Sequence, residues 1–475
     1  MYRKQFLLAK KKIDISGLKE KQKVCNYHLY LGADSEYNYL KNKTKEIHLL
    51  GNLYDWENPH YSNKQIIELI FRYDDINVII EKSNNYCGEF VFIIKLDNDL
   101  FIFNDATSQK EIYYDDTFNN FGTQPKLLNL TIDLVDHVDP SAIEYYQSEI
   151  FKKKYLFVGN TTHKKNILHL LPNHIITINT KSVKRFFPSQ KLDKQPLISV
   201  ANKCAEMLQG YISAIYRRNK IKMAITGGYD SRVLFLASLN VDCKYFVLKH
   251  KNMSDSHHDI VVPKYLTGLF HKNLNIEERE VLNVDDKNYI NDVDFPRFIS
   301  KSNKNNDHTF INGNISEIAR NYYGYYKNAT AKDLCFLTGN ASMKFVVKLY
   351  DSWLTNKNIF FENGYHYLDM FYWEEKMGNW SKMKTERNAL SQNVVSPFNS
   401  RNLLTHMLST NRSDRDSHFN KLYDLIISVL SKENKKVLKT PINPSPKQTI
   451  IKFMKRIKIY NLYRYIGVKS KLLNV

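Results

Sequence analysis

The sequence predicts two folded domains, of which the second is an α/β domain with a parallel sheet. An apolar strand, a glycine loop and a helix follow one another between Ile221 and Leu239. A second apolar strand, Lys244–Leu248, comes after a crossover long enough for a βαβ unit, which favours parallel pairing. A polar segment with two prolines, Phe186–Pro196, precedes both and indicates a domain boundary.

Composition supports a folded protein in a reducing compartment. The chain has 475 residues with 43% hydrophobic and 13% aromatic content, enough for two cores. Its five cysteines form no C-x-x-C pair and are odd in number, so neither a disulfide framework nor a zinc site is expected. The early apolar run Phe6–Ala9 is too short for a signal peptide, and no apolar stretch reaches membrane-spanning length. We therefore expect a cytoplasmic protein.

The loop at Thr226–Ser231, T-G-G-Y-D-S, is the most informative motif. Gly227 and Gly228 allow the backbone to turn tightly and approach an anion, and the helix that follows directs unpaired N–H groups at the same point. Asp230 is suited to hold magnesium against phosphates. The spacing matches neither G-x-x-x-x-G-K-[ST] nor G-x-G-x-x-G. The loop predicts a phosphate site, with an ordinary glycine turn as the alternative.

This loop resembles the S-G-G-x-D-S pyrophosphate loop of the asparagine synthetase superfamily, whose members split ATP to AMP and pyrophosphate while activating a carboxylate. The resemblance continues along the chain in order. Gly51–Tyr54 and Gly88–Tyr114 resemble the amidotransferase half of the family. Ile311–Arg320 resembles the second synthetase motif, and Val395–Arg401 resembles R-x-P-F-L-D-x-R.

The resemblance implies the architecture of the whole chain. Residues 1–190 are expected to form an α+β Ntn-hydrolase-like sandwich, equivalent to a glutamine amidotransferase domain. Residues 197–430 are expected to form an α/β PP-loop domain of the adenine nucleotide alpha hydrolase-like kind, with a parallel sheet and a helical C-terminal part. Residues 431–475 form a basic tail.

The first domain departs from the family where glutamine chemistry is needed. Active members begin with a cysteine after the initiator methionine, and its thiol attacks glutamine. Tyr2 stands there instead. Leu50–Leu53 replaces N-G-E-I, and Asn63 stands where the glutamine-binding aspartate is expected. The resemblance therefore implies an amidotransferase fold without glutaminase activity, with a packing or regulatory role.

The resemblance also implies a set of site residues for ATP and Mg²⁺. Catalytic roles fall to Asp230, Glu317 and Arg320, with Asp230 as the metal ligand. The nucleotide-binding residues are Thr226, Gly227, Gly228, Asp230, Ser231, Asp255 and Gly313. Because Ser316 replaces the second metal aspartate of the family, metal binding is expected to rest on Asp230 alone.

Several of these assignments have simpler alternatives. Glu317 can be a helix N-terminal glutamate that the dipole favours. Asp255 shares its segment with a second candidate, Asp259, and Ser254 or Asp255 can instead cap the helix Ile260–Leu269. Adjacent histidines, His257 and His258, are expected to point in different directions, so no metal triad is predicted. Arg232 is a rival of Arg320 for a phosphate contact.

Two further segments leave alternatives open. The aromatic run Phe371–Trp380 can shape a pocket for a ring-bearing or sugar-like substrate, or form core. The net charge is +20, and residues 432–475 contain twelve Lys or Arg against Glu433. Ile450, Phe453, Met454 and Ile457 have helical spacing there, so a basic amphipathic helix can dock on an anionic membrane surface or an acidic partner, or pack on the second domain. No specific nucleic-acid partner is predicted.

The function implied is an ATP-dependent, amide-forming ligase. A small-molecule, peptide or glycan carboxylate would be adenylated and then attacked by an amine, which is free ammonia, a second substrate or a group on the same molecule. The alternative is a non-catalytic descendant that binds nucleotide or a partner. The sequence predicts neither the substrates nor the oligomeric state.

Overall fold

The computed structural model of the protein describes residues 2, 4–154, 156–282, 297–300, 308–324, 326–340, 342–379, 393–444, 446–457, 459, 460, 462, 463 and 466. Among these residues, no helix is long and apolar enough to cross a membrane.

The first domain contains two sheets in which all the neighbouring strands that are described run antiparallel. One consists of β1 (Phe6–Ala9), β2 (Leu18–Val24), β3 (Tyr27–Gly32), β10 (Tyr113–Asp115), β11 (Asn120–Gly122) and β12 (Ile167–His169), in the order β12-β10-β11-β1-β3-β2. The other consists of β4 (Tyr37–Lys41), β5 (Lys45–Gly51), β8 (Phe90–Leu96), β9 (Asp99–Asn104), β13 (His174–Thr177) and β14 (Ser182–Arg185), in the order β14-β13-β9-β8-β5-β4. A short pair, β6 (Tyr54–Asp55) and β7 (Tyr86–Cys87), lies apart, and the helices are α1 (Asn63–Ile70), α2 (Ile76–Ser83), α3 (Pro125–Leu128), α4 (Pro140–Gln147) and α5 (Glu149–Lys154).

Alternating side chains explain why these two sheets form a sandwich. On β8, Val91 and Ile93 enter the core shared with β1 of the other sheet, whereas Phe90 and Phe92 pack on the opposite side with α1 and α2. The period of two places apolar residues on both faces of the sheet. The α+β sandwich expected for the first domain is therefore observed.

The second domain begins with alternating helices and strands and becomes mainly helical towards its C-terminal part. Its elements are α6 (Leu197–Arg218), β15 (Ile221–Ala224), α7 (Tyr229–Ala237), β16 (Cys243–Lys249), α8 (His258–Leu269), β17 (Leu274–Leu282), β18 (Arg297–Ser300), β19 (Thr309–Ile311), α9 (Ala331–Thr338), α10 (Lys344–Leu354), α11 (Lys357–Glu362), α12 (Tyr367–Phe371), β20 (Asn393–Val395), α13 (Arg401–Leu408), α14 (Lys421–Leu430), α15 (Lys435–Lys439) and α16 (Pro446–Arg456). Short 3₁₀ turns occupy Ser316–Ala319 and Arg412–Arg415, and a π-helix occupies Tyr372–Met377.

The sheet of the second domain has the order β18-β17-β16-β15-β19-β20. Neighbours from β17 to β20 pair in parallel, and only the edge strand β18 is antiparallel among the strands described. This confirms the α/β prediction with a parallel sheet. The chain passes from β15 to β16 and β17 on one side, then returns to β19 and β20 on the other. Ligands in such sheets bind where the strand order reverses, outside the carboxyl ends of the strands.

A buried carboxylate, Asp105, joins the two domains. Asp105 Oδ1 accepts hydrogen bonds from the backbone N–H groups of Thr107 at 3.1 Å and Gln109 at 2.8 Å, and from the Asn399 amide at 2.9 Å. Its Oδ2 accepts from the N–H groups of Phe90 and Lys110. Burial raises the pKa of Asp105, and these bonds partly offset that rise. Five donors from two domains thus converge on one side chain.

Arg401 extends this contact from the second domain. Its guanidinium is almost fully buried and donates to the carbonyls of Asn104 and Asp105, each at 3.0 Å, and to Asn173 Oδ1 at 3.1 Å. The Val395–Arg401 motif therefore contributes its arginine to the domain interface.

The aromatic run also lies at this interface. Trp373 is fully buried and its Nε1 donates to the Ala106 carbonyl at 2.7 Å. Glu374 is buried against Arg185 at 2.8 Å and accepts from Trp353 Nε1 at 2.9 Å. These contacts favour the core interpretation of the run for Trp373 and Glu374, whereas Trp380 lies outside the described residues.

We expect Asp105→Asn to destabilise the protein by about 3 kcal/mol or more, because an amide group would replace an acceptor oxygen where several buried N–H donors converge. Chemical denaturation should measure this loss. Asp351→Asn, at an exposed site on α10, is the control and should change stability little. Equal effects of the two variants would contradict the role of Asp105.

Candidate functional site

The candidate site lies outside the carboxyl ends of β15 and β19, where the strand order reverses. The loop Thr226–Ser231 follows β15, and residues 312–320 follow β19. The two segments approach closely at Gly313, because a Cβ added there would lie 2.5 Å from the Asp230 Cβ. The parallel sheet thus brings the two sequence motifs together.

Hydroxyl groups hold the glycine loop in shape. The Ser231 Oγ accepts from the Thr226 N–H at 3.0 Å and lies 2.9 Å from the Thr226 hydroxyl oxygen. The Gly228 N–H donates to Thr226 Oγ1 at 3.3 Å, and Gly228 is the N-cap of α7. Thr226 and Ser231 therefore shape the turn from within.

The first turn of α8 closes over the loop. The Gly227 N–H donates to Asp259 Oδ1 at 2.7 Å. A Cβ at Gly227 would lie 3.2 Å from His258 Cδ2, so a side chain there would crowd the histidine. On the other side, the Asn443 N–H donates to the Gly227 carbonyl at 2.9 Å. The contact from Asn443 has no signal in the sequence.

Asp230 joins the loop to the second motif. Its Oδ1 accepts a hydrogen bond from Ser316 Oγ at 2.7 Å and forms an ion pair with Arg320. The Arg320 guanidinium also lies over the Tyr423 ring, 5.0 Å from its centroid, and 5.9 Å from that of Tyr229. These cation–π contacts help to hold the Arg320 guanidinium in place.

The backbone after β19 is strained beside Asp230. Ile315 is fully buried and has φ of 87°, a conformation that a β-branched residue rarely adopts. The neighbouring Ser316 carbonyl accepts from the Tyr423 hydroxyl at 3.2 Å, which holds this turn in place. Strain of this kind costs about 1–3 kcal/mol and is found at binding and catalytic sites.

Glu317 and Arg232 have different surroundings. Glu317 is half-buried in the same 3₁₀ turn as Ser316, and its charge adds to burial in raising the pKa of the Tyr372 hydroxyl. Arg232 is buried and donates to the carbonyls of Thr440 at 2.6 Å and Pro441 at 2.7 Å. Arg232 therefore holds the C-terminal segment against α7.

Of the two aspartates after β16, Asp259 contacts the loop and Asp255 contacts Lys249. Asp255 is exposed and its Oδ1 lies 2.8 Å from Lys249 Nζ, which lowers its pKa through a hydrogen bond. The N-cap of α8 is His257, whose Nδ1 accepts from the Asp259 N–H at 3.2 Å. The alternative that Ser254 or Asp255 caps this helix is therefore wrong.

The expectation for the two histidines is also wrong. The rings of His257 and His258 stack, with centroids 4.3 Å apart. Together with Asp259 they offer donor atoms within 4.8 Å of one another. The expectation considered only the directions of the two Cβ atoms, whereas the side-chain torsions of His257 and His258 turn the rings towards each other.

The side chains present fit a magnesium–phosphate group in their chemistry. Asp230 and Asp259 supply partly exposed carboxylate oxygens, the ligands that Mg²⁺ prefers. The N–H groups of Gly227 and Gly228, at the start of α7, suit phosphate oxygens. Asp230 now pairs with Arg320, and the Gly227 N–H pairs with Asp259. A bound nucleotide would have to replace Arg320 as the partner of Asp230 and Asp259 as the partner of the Gly227 N–H.

The residues that the resemblance places at the glutamine site line a separate polar cavity of about 600 Å³. Asn63 binds its surroundings closely: its Oδ1 accepts from the Leu53 N–H at 2.9 Å and from Arg218 at 2.8 Å. Burial raises the pKa of Glu89, in the same cavity, to about 7. No cysteine is among the described residues that line it, and the Tyr2 side chain is buried elsewhere.

Comparison with solved structures gives distant similarities. Glutamine phosphoribosylpyrophosphate amidotransferase from B. subtilis, complexed with ADP and GMP, is 8% identical, with 65% of this chain and 69% of that chain covered and a TM-score of 0.21. A structure described as the allosteric regulatory enzyme of purine biosynthesis is 7% identical, with 71% and 72% covered and a TM-score of 0.23. No protein-family model matches the chain, and no curated protein sequence matches it. The fold assignment therefore rests on the sheets and helices described above.

We expect the protein to release no glutamate from glutamine above background, because the cavity of Asn63 and Glu89 has no thiol nucleophile among its described residues. An enzyme-coupled glutamate assay measures this. Glutamine hydrolysis that disappears in Cys25→Ala or Cys87→Ala would contradict the prediction.

We expect Gly313→Ala to destabilise the protein by about 1–3 kcal/mol, because the added methyl group would collide with Asp230. Gly268→Ala is the matched control: its Cβ meets no atom within 4 Å, and it lies inside α8, where alanine is the better helix former. Thermal unfolding should therefore separate the two variants. Equal stability in both would show that the Gly313 contact is not restrictive.

Proposed function

We propose that the protein is an ATP-dependent, amide-forming ligase that adenylates a carboxylate and releases pyrophosphate. The observation that carries the proposal is the meeting of two motifs at one point. Asp230 of the glycine loop contacts both Ser316 and Arg320 of the second motif, although 86 residues separate Asp230 from Ser316. This point lies at the reversal of strand order, where α/β sheets bind ligands.

Each part of the site has a chemical task in this proposal. The N–H groups of Gly227 and Gly228 and the positive end of α7 would bind the β- and γ-phosphates. Magnesium would be held by Asp230, with Asp259 as a second carboxylate, and would neutralise phosphate charge when bound. Arg320 would turn from Asp230 to the phosphate oxygens, which its planar guanidinium fits.

The reaction has two steps. A carboxylate oxygen of the substrate attacks the α-phosphorus of ATP, and the bond to pyrophosphate breaks, giving an acyl adenylate. The amine nitrogen then attacks the acyl carbon, AMP leaves with the bonding electrons, and the amine loses a proton. Glu317, beside Arg320, is the candidate to accept that proton or to orient the amine.

Ammonia from glutamine is not the expected nitrogen source, because the cavity around Asn63 offers no thiol among its described residues. The amine would be free ammonia, a second substrate or a group on the acid itself. The acid is a small molecule, a peptide or a glycan carboxylate.

A second candidate is a non-catalytic protein that binds nucleotide or a partner. It is favoured by the internal partners of the site: Asp259 accepts from the Gly227 N–H, and Arg320 pairs with Asp230. A site in which these contacts persist would bind nucleotide weakly and would not turn it over.

We expect pyrophosphate release to require ATP, magnesium and one particular acid from a panel of carboxylic acids, and to fall about 100-fold in Asp230→Ala. Asp351→Ala, on the exposed face of α10, is the matched control and should keep full activity. A coupled pyrophosphate assay and a parallel ATP-binding measurement should be made on all three proteins.

The outcomes separate the two candidates. ATP binding without pyrophosphate release for any acid would favour the binding protein. Failure to bind ATP by a protein whose unfolding transition is intact would exclude both nucleotide functions. Equal release by wild type and Asp230→Ala would exclude the assigned role of Asp230.

A further inference from the structure

The last helix, α16, is held against the second domain by one face. Ile451 and Met454 are buried, with 8% and 9% of their surfaces exposed. Lys455 Nζ contacts both carboxylate oxygens of Asp416, at 2.9 and 3.0 Å, and Ser417 Oγ at 2.8 Å. These contacts fix which side of the helix faces outward.

The exposed side of the helix carries an apolar stripe. Ile450, Phe453 and Ile457 are 57%, 61% and 47% exposed, and their i, i+3, i+7 spacing aligns them along one stripe. Exposed apolar residues also follow the helix: Ile459, Leu462, Tyr463 and Ile466. The Tyr463 N–H donates to the Ile459 carbonyl at 3.0 Å. We define the tail patch as Ile450, Phe453, Ile457, Ile459, Leu462, Tyr463 and Ile466, all of which are at least 45% exposed.

Exposed large apolar side chains are concentrated in this part of the chain. Twenty-one large apolar side chains are exposed among the described residues, and seven of them lie between residues 450 and 466. Single exposed apolar residues are normal on protein surfaces, whereas a contiguous group indicates an interaction surface. Ile451 and Met454 are already buried, and Lys455 already holds α16 at Asp416. The exposed stripe is therefore not the side by which this helix packs on the second domain.

The charge of the sequence that carries the patch indicates the kind of partner. Residues 432–475 carry twelve Lys or Arg against Glu433, and the exposed Arg456 borders the stripe, three positions from Phe453. The surface therefore needs an apolar and an anionic partner together. The boundary between headgroups and acyl chains of an anionic bilayer offers both at once. A nucleic acid offers phosphates but leaves the apolar stripe in water.

We propose that the C-terminal segment docks the protein on an anionic membrane surface, with α16 lying in the plane of the interface and the tail patch inserted below the headgroups. The docking is independent of the ligase proposal, because it uses none of the residues around Asp230. It would hold the protein at a bilayer without crossing it.

Flotation of the full-length protein with vesicles tests the proposal. Vesicles of phosphatidylcholine alone should bind little protein, and vesicles that also contain phosphatidylglycerol should bind it strongly, less so as salt is raised. The variant Ile450→Ser, Phe453→Ser, Ile457→Ser should bind the anionic vesicles at least about tenfold more weakly. The matched control replaces three similarly exposed apolar residues elsewhere, Val138→Ser, Ile198→Ser, Ile359→Ser, and should bind as wild type does.

The unfolding transition of both triple variants should match wild type, since the replaced side chains lie largely in water. Binding that is unchanged in the tail variant, equal on neutral vesicles, or absent on both vesicles would overturn the proposal. Binding to heparin or DNA that exceeds vesicle binding and survives the tail variant would identify an acidic macromolecule as the partner and would likewise overturn it.

Discussion

The buried carboxylate of Asp105 fixes how the two domains meet, and the candidate site depends on that contact. An ionised carboxylate in a protein interior is tolerated only where donors replace water. Here the donors come from three loop positions of the first domain, from β8 and from Asn399 of the second. Four of these donors lie in the first domain with Asp105, and the bond from Asn399 crosses the interface, so separation of the domains would break that bond. Hydrogen-bond geometry therefore contributes to the interface together with apolar packing.

The segment that carries Asn399 also reaches the site. Ser396 Oγ donates to the Asn314 carbonyl at 2.8 Å, and Asn312 N–H donates to the Val395 carbonyl at 3.2 Å. Residues 395 and 396 thereby hold the segment that contains Ile315 and Ser316. The same chain continues to Asn399 and Arg401, which contact Asp105. A rigid support of this kind allows a strained residue such as Ile315 to persist beside Asp230. One short segment, residues 395–401, therefore contacts both the candidate site and the domain interface.

Local patterns in the sequence predicted the elements of the site, whereas long-range partners could not be predicted. The strand, glycine loop and helix at 221–239 were predicted because apolar periodicity and glycine positions are local signals. The helix begins at Tyr229, within the predicted loop Thr226–Ser231, because Gly228 caps it and the Thr226 and Ser231 hydroxyls complete the turn. The parallel pairing of β15 with β16 followed from crossover length, whereas its pairing with β19 was not predicted.

Contacts between distant residues explain the rest. Nothing in the run S-D-S-H-H-D distinguishes Asp259, which accepts from Gly227, from Asp255, which pairs with Lys249. The choice depends on how α8 packs over the loop. The same holds for Arg401, whose segment resembles a synthetase motif, and for Trp373, whose run can shape a pocket. The hydrogen-bond partners of both lie in the first domain. Asn63 is a further case. It stands where the resemblance places a glutamine ligand, yet its Oδ1 accepts a hydrogen bond from Arg218 of the second domain. The first domain thus supplies hydrogen-bond partners for three residues of the second domain, Arg218, Asn399 and Arg401. This contact is a packing role that needs no glutamine chemistry.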